Sequence, residues 1–147
     1  MTIRQLGATD KDAWLPLWQK YLAFYQTELS PATIETAWQR LLTPTEPMFA
    51  LGAFSDNRLL GIVHIIYHRS TWTEGNYCYL QDLFTDEAAR GQGVGTALIE
   101  AVYARAKADG ASRVYWLTHE TNDTARRLYE KIAVRSGFIQ YRKIFSL

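Results

Sequence analysis

Residues 90–100, RGQGVGTALIE, place three glycines at alternate positions directly before an apolar pattern of helical spacing. The first backbone N–H groups of a helix have no partner inside it, and glycine allows a turn whose amides converge with no Cβ in the way. Such a loop favours an anion, and a phosphate group above all. The alternative is that Gly91, Gly93 and Gly95 only shape a tight connection.

The glycine spacing argues against two common phosphate-bearing ligands. A Walker-type loop needs four residues between its glycines and then Gly-Lys, and the dinucleotide pattern needs a glycine where Thr96 stands. Neither requirement is met. The sequence therefore argues against ATP and NAD.

Composition limits the class of protein. A chain of 147 residues with 48% hydrophobic residues is expected to form one domain over residues 1–147. The net charge is +1, and the basic residues are spread along the chain without a basic block. A nucleic-acid-binding domain is therefore the least favoured of the functions considered. No apolar run reaches the roughly 20 residues of a membrane span, and no leader pattern is present, so we expect no membrane partner. The single cysteine, Cys78, suggests a cytoplasmic protein.

Strand and helix signals alternate along the chain. Apolar runs bounded by turn residues predict strands at residues 2–6, 49–54, 59–67, 77–85, 114–118 and 138–145. Helical spacing predicts four helices, which begin near Thr9 or Asp10, at Ser30, after the glycine loop and at Asn122. The glycine loop therefore lies between a strand and a helix.

Two segments resemble the motifs of one family, the GNAT superfamily of N-acetyltransferases. LFTDEAARGQGVGTALIEAV, residues 83–102, resembles its acetyl-CoA-binding motif through Arg90, Gly93 and Gly95. NDTARRLYEKIAVRSGF, residues 122–138, resembles its second motif. The matching positions there are Asn122, Ala125, Tyr129, Gly137 and Phe138.

The resemblance implies an α/β (α+β) fold. Its GNAT-like sheet is mixed, mostly antiparallel and twisted, and helices flank it. The central strands, residues 77–85 and 114–118, splay apart, and the pantetheine arm of the cofactor lies in the opening. A free strand edge there can hydrogen-bond a peptide-like arm.

The resemblance also implies acetyl-CoA as cosubstrate and no metal. The loop amides would hold the pyrophosphate, and Arg90 would shape the loop or reach a phosphate. The expected cofactor-binding positions are Leu83, Phe84, Thr85, Arg90, Gly91, Gln92, Gly93, Val94, Gly95, Thr96, Asn122, Tyr129 and Lys131.

Tyr129 is the residue expected to carry proton chemistry, with Asp82 and Asn122 as the other catalytic candidates. Asn122, Ala125 and Tyr129 share one helix face by their spacing. A tyrosine of pKa ~10 that protonates a thiolate of pKa ~8.5 works uphill by about 2 kcal/mol. Tyr129 therefore acts as a hydrogen-bond donor in the transition state unless its pKa is lowered. The alternative is a packed core tyrosine.

The acceptor amine must also lose a proton. Keeping an amine of pKa ~10.4 neutral at pH 7 costs about 4.6 kcal/mol. YLQDLF resembles the diamine N-acetyltransferase branch, whose proposed base is a glutamate at the position of Gln81. Glutamine accepts no proton, so Asp82, Glu120 or a water relay must serve. Asp82 points away from Gln81 in a regular strand, and a bulge would re-aim either residue.

The other candidates carry weaker signals. Tyr25 and Glu28 are expected to border the acceptor pocket, together with Gln81, Asp82 and Glu120. His64 and His68 lack a third ligand at metal spacing, so no metal is assigned. His119 is expected to be solvated, and Cys78 to be a small buried hydrophobe.

The predicted function is direct transfer of acetyl from acetyl-CoA to a primary amine in a ternary complex. The acceptor is a polyamine, an amino acid, another small amine or a lysine of a basic peptide. SGFIQYRK resembles the fungal histone and polyamine acetyltransferase branch, and the last strand is expected to help form a homodimer. The alternative function is a catalytically inactive sensor that binds coenzyme A, for which Gln81 is the best support.

Overall fold

Five strands form one mixed sheet in the computed structural model, which describes residues 1–146. The spatial order is β1-β2-β3-β4-β5, with antiparallel neighbours except for the parallel pair β4 and β5. The strands are β1 (Thr2–Gln5), β2 (Met48–Ser55), β3 (Arg58–His68), β4 (Tyr77–Thr85) and β5 (Arg113–Tyr115). The mixed, mostly antiparallel sheet predicted from the sequence is therefore confirmed.

Four α-helices accompany the strands: α1 (Lys11–Phe24), α2 (Pro31–Leu42), α3 (Val94–Ala108) and α4 (Asp123–Ile132). The Ser30 side chain caps α2 by accepting a hydrogen bond from the backbone N–H of Thr33, and proline occupies the first turn. Gly110, with φ of +82°, follows the end of α3, where a left-handed glycine commonly ends a helix. None of these helices, within residues 1–146, is long and apolar enough to cross a membrane.

The sheet buries both of its faces. A Cβ placed on Gly61 would meet Val94 and Leu98 of α3, so the odd-numbered positions of β3 at this point face α3. Ile62 belongs instead to a buried cluster with α1 and α2. In that cluster the rings of Trp14 and Trp38 lie 4.7 Å apart, which joins the two helices in one core.

A β-bulge interrupts β4 at Gln81. His64 pairs with Asp82 and the next residue of β3, Ile65, pairs with Leu80, so Gln81 has no partner on β3. Side chains that alternate regularly would put Leu80 and Asp82 on one face. The extra residue instead puts Leu80 opposite Ile65, on the α3 face, and Asp82 opposite His64, on the face of α1 and α2.

The strands β4 and β5 pair only at their beginnings. Tyr77, Cys78 and Tyr79 pair with residues 113–115, whereas β4 continues to Thr85. The later half of β4 therefore has no neighbour from β5. This arrangement agrees with the predicted separation of the central strands.

Two predicted strands differ from the structure. The strand expected at 114–118 covers only Arg113–Tyr115. The prediction of a strand at 138–145 is wrong, because these residues pair with none of the five strands of the sheet in residues 1–146. A strand needs a neighbour for its backbone groups.

The chain also forms two compact units, Met1–Leu117 and a second from Thr118 onward, and the single-domain expectation stays a prediction.

Candidate active site

The glycine loop has the left-handed backbone that its sequence implied. Gly91 and Gly93 have φ of +79° and +77°, a region that side chains with a Cβ rarely adopt. A Cβ on either glycine would meet nothing within 4 Å, so open space lies on that side of the loop. Gly93 is the N-cap of the 15-residue helix α3, and the first N–H groups of that helix lack intrahelical partners. The loop is therefore suited to an anion.

A hydrogen bond from Arg90 links the glycine loop to the end of β4. Its Nε donates a hydrogen bond of 3.4 Å to the carbonyl of Thr85, and its guanidinium carbon lies 5.9 Å from the centre of the Phe84 ring. Both predicted roles of Arg90, shaping the loop and reaching a phosphate, stay predictions.

The other predicted cofactor positions of this unit differ in exposure. Val94 and Phe84 are buried in the core, so only their backbone groups are available to a ligand. Gln92 is exposed, and four residues are half-buried. These are Leu83, Thr85, Gly95 and Thr96.

Asp82 belongs to a hydrogen-bonded network with His64 and Trp14. The indole N–H of Trp14 donates to Nε2 of His64 over 3.0 Å, and Nδ1 of His64 lies 3.0 Å from Oδ2 of Asp82. The side chains of His64 and Asp82 are only 6% and 13% exposed. The bulge at Gln81 has thus turned the Asp82 carboxylate toward α1, where it has defined partners.

Tyr21 also faces this carboxylate. Burial, followed by the charge and hydrogen bonding of Asp82, raises the pKa of Tyr21 well above its ordinary value. Its hydroxyl therefore keeps its proton and can donate it in a hydrogen bond to Asp82. The ring of Tyr21 lies 4.9 Å from that of Tyr25, which is 48% exposed. Tyr25 thus extends the aromatic wall from Asp82 to the surface.

Sequence reasoning missed Trp14, Tyr21 and His64 as site residues. It considered His64 only as a metal ligand. The usable signal was the seven-residue spacing of Trp14 and Tyr21, which places both on one helix face.

Two predicted acceptor-site residues lie away from the Asp82 carboxylate. Gln81 is exposed, as an unpaired bulge residue. Glu28 is exposed and lines a cleft with Leu22, Leu29 and Ile34, between α1 and α2. The structure therefore groups Asp82 with Tyr25 rather than with Glu28.

The second unit holds the remaining predicted residues. Asn122 is the N-cap of α4, and its Oδ1 accepts a hydrogen bond of 3.3 Å from the backbone N–H of Ala125. Tyr129 is half-buried on α4, and Lys131 is exposed in the last turn. The carboxylate of Glu120 lies 3.5 Å from Arg135 and is 81% exposed. Asn122 therefore has a defined capping role in helix stability.

The paired His68, the exposed His119 and the buried Cys78 differ in their surroundings. His68 Nε2 lies 2.7 Å from the hydroxyl of Tyr115, and His119 is exposed. Cys78 is fully buried, as expected of a small hydrophobe, and burial raises its pKa to about 11. Within residues 1–146, no group of three or more His, Cys, Asp or Glu side chains is arranged to hold a metal ion.

The mixed sheet, the glycine loop at the start of α3 and the inward-facing carboxylate on β4 define an α/β protein with a candidate anion site. The model of the Acetyltransferase (GNAT) family matches residues 12–133. The chain belongs to this family, and it is an N-acetyltransferase. The resemblance seen in the two sequence motifs is thereby confirmed.

Individual relatives support this assignment. The chain is 32% identical over 145 residues to D-amino-acid N-acetyltransferase HPA3 of Saccharomyces cerevisiae, covering 97% of this chain and 90% of that protein. A crystal structure of a probable acetyltransferase has a TM-score of 0.88 at 27% identity and covers 99% of both chains. The structure of AAC(6')-Iy in complex with the bisubstrate analogue CoA-S-monomethyl-acetylneamine shares the fold, with a TM-score of 0.82 at 18% identity over 97% of both chains.

Proposed function

We propose that this N-acetyltransferase transfers acetyl from acetyl-CoA directly to the primary amine of a small molecule, with both substrates bound at once. One observation carries the proposal: β4 presents the half-buried carboxylate of Asp82 and, three residues later, is linked to the glycine loop by the hydrogen bond from Arg90 to Thr85. A site for a cation and a site for phosphate therefore lie along one strand. Holding both reactants together is the main source of rate acceleration.

The loop fits the pyrophosphate of coenzyme A. The left-handed glycines Gly91 and Gly93 leave open space beside the loop, and the start of α3 adds unpaired N–H groups and a favourable dipole. The half of β4 beyond Tyr79 lacks a β5 neighbour, which suits the peptide-like pantetheine arm. When bound, acetyl-CoA supplies the activated acetyl thioester.

Asp82 suits the acceptor amine. A carboxylate held by His64 keeps lone pairs on Oδ1 that can accept hydrogen bonds from an ammonium group. The rings of Tyr21 and Tyr25 offer aromatic faces to the same cation. Asp82 thereby orients the amine and accepts its proton, the role for which Gln81 is unsuited.

Tyr129 is proposed as the donor to the departing sulfur. This role comes from the family motif and from the position of the residue on α4, four residues after Ala125. Asn122 supports it by capping the same helix. Lys131, in the last turn, is proposed to meet the anionic part of the cofactor.

The acceptor is proposed to be a small amine of the amino-acid or polyamine type. The relative HPA3 acts on D-amino acids by its name, and the similarity covers 97% of this chain. A half-buried carboxylate beside aromatic rings recognises an ammonium group whatever the rest of the molecule is. A lysine of a basic peptide presents the same group.

Release of free thiol from acetyl-CoA tests the proposal. The acceptor panel contains polyamines, L- and D-amino acids, aminoglycosides and a lysine peptide, with a control that lacks any amine. We expect release with particular amines and an increase in their KM in Asp82→Asn. A protein that binds acetyl-CoA but releases no thiol with any amine would favour the alternative, a sensor of coenzyme A.

We also propose a homodimer formed through the C-terminal segment, residues 134–146. Six large hydrophobic side chains in it are 69 to 92% exposed: Val134, Phe138, Ile139, Tyr141, Ile144 and Phe145. The segment has a strand-like sequence but pairs with no strand in residues 1–146, and a second copy offers the same segment in a two-fold arrangement. Light scattering is expected to give a dimer mass, and Phe138→Ser with Ile144→Ser a monomer. A monomeric wild-type chain would contradict the proposal.

A further inference from the structure

We infer that His64 is a positioning residue, which the indole N–H of Trp14 locks in one tautomer so that it fixes the Asp82 carboxylate for the acceptor amine. The inference deepens the proposed function and rests on it, because Asp82 must bind the amine for its positioning to matter. It concerns three side chains that meet across α1, β3 and β4.

The tautomer follows from the chemistry of the donors. An indole nitrogen donates hydrogen bonds and accepts none, so Nε2 of His64, 3.0 Å from Trp14 Nε1, must present its lone pair. The proton of the neutral ring is therefore on Nδ1. From there it is donated to Oδ2 of Asp82 over 3.0 Å.

The same contacts exclude His64 as a proton acceptor. Protonation of Nε2 would put two N–H groups against each other inside the core, where His64 as a whole residue is 5% exposed. Nδ1 already carries the proton of the neutral ring. His64 therefore donates a hydrogen bond to Asp82, and Asp82 is the group that accepts the proton of the amine.

Packing around the ring leaves it little freedom to rotate. The Trp18 ring contacts His64 edge-on with centroids 4.8 Å apart, and the Trp14 ring lies at 6.1 Å. Tyr21 of α1 faces Asp82, and Tyr25 of α1 and Tyr79 of β4 lie near Tyr21.

Nitrogen chemical shifts of His64 in the wild-type protein test the tautomer without any substrate. We expect the signals of the neutral tautomer that is protonated on Nδ1. Trp14→Phe removes the indole N–H together with its five-membered ring, and it is expected to let His64 adopt a mixture of the two tautomers. A wild-type ring protonated on Nε2 would overturn the inference.

Steady-state kinetics test the positioning role, with the best amine of the acceptor panel. His64→Leu removes the donor and is expected to raise the KM of the amine about 10-fold or more, with the KM of acetyl-CoA unchanged. His64→Asn keeps an N–H donor near the position of Nδ1 and is expected to recover most of this loss. Equal losses in both variants, at equal thermal stability, would contradict the role.

Asp82→Asn separates this inference from the proposed function. If it leaves the KM of the amine unchanged, the proposed role of Asp82 fails and the positioning role of His64 fails with it. If Asp82→Asn raises the KM and His64→Leu does not, the proposed function stands and only the inference about His64 is overturned.

Discussion

The carboxylate of Asp86, buried directly after β4, accepts a hydrogen bond of 3.0 Å from Lys20 Nζ of α1. Its second oxygen accepts one of 3.1 Å from Arg58 at the start of β3. These contacts anchor the point where β4 ends and the chain turns toward the glycine loop. Asp86 therefore links the stability of the α1 core to the position of the loop.

Asp86→Asn is expected to destabilise the protein by about 1.5–3 kcal/mol, since hydrogen bonds to a charged group are lost. The hydrogen bond from Lys20, followed by that from Arg58, lowers the pKa of Asp86 against the opposing effect of burial. The contribution of this carboxylate to stability is thus fully present above its unfolded pKa near 3.9 and is lost as pH falls through the lower folded value. Urea unfolding at pH 7 and pH 2 measures both effects.

The neighbouring exposed acid provides the control for Asp86. Glu87→Gln removes one negative charge at the next position of the chain and is expected to change stability by less than about 0.5 kcal/mol. A loss in Asp86→Asn that is as large at pH 2 as at pH 7 would show that the ion pairs are not its cause.

Gly93→Val is expected to weaken acetyl-CoA binding at least 10-fold. Gly93 has φ of +77°, and a β-branched residue there strains the backbone by about 1–3 kcal/mol and puts bulk into the open side of the loop. Calorimetric titration with acetyl-CoA measures the affinity. The expected loss is in binding, and it follows from the proposed phosphate site.

Gly110→Val is a matched control for the backbone strain. Gly110 has φ of +82° and open space at its Cβ, but it follows the opposite end of α3, a helix about 22 Å long. We expect Gly110→Val to lower stability and to leave acetyl-CoA affinity unchanged. Equal loss of affinity in both variants would contradict a phosphate site at Gly93.

Much of the fold could be predicted from the sequence because its signals are local. The run Tyr77–Thr85 was predicted with its observed bounds, since an apolar stretch ends at the polar Asp86. Ser30 and Asn122 marked helix starts through capping chemistry that involves only the next few residues. The glycine loop was predicted for the same reason.

The features that were missed depend on contacts distant in sequence. The bulge at Gln81 is defined by the register of β4 against β3, which the alternation within β4 alone does not reveal. The role of His64 requires Trp14, 50 residues away, to approach Nε2. The strand expected at 138–145 has suitable side chains but no partner strand, and pairing cannot be inferred from one segment.

Cys78 is expected to resist alkylation in the folded protein. Burial raises its pKa to about 11, above the ordinary value near 8.5, so at pH 8 the reactive thiolate is scarce. Iodoacetamide at pH 8 should modify the folded chain at least 100-fold more slowly than the chain in guanidinium. The protein has one cysteine, so mass spectrometry reads this site directly. Equal rates in both states would show that the thiol is accessible.

Tyr129→Phe tests the proton chemistry proposed for α4. Loss of a positioned proton donor typically costs about 10²–10⁴-fold in rate, so turnover is expected to fall by about a hundredfold or more while acetyl-CoA affinity changes little. Thiol release at saturating amine and calorimetric titration with acetyl-CoA measure the two quantities. The control is Tyr141→Phe, which removes a hydroxyl from a tyrosine that is 88% exposed in the same unit. Unchanged turnover in Tyr129→Phe would remove Tyr129 from the mechanism and leave Asp82 as the proposed group that handles the proton of the amine.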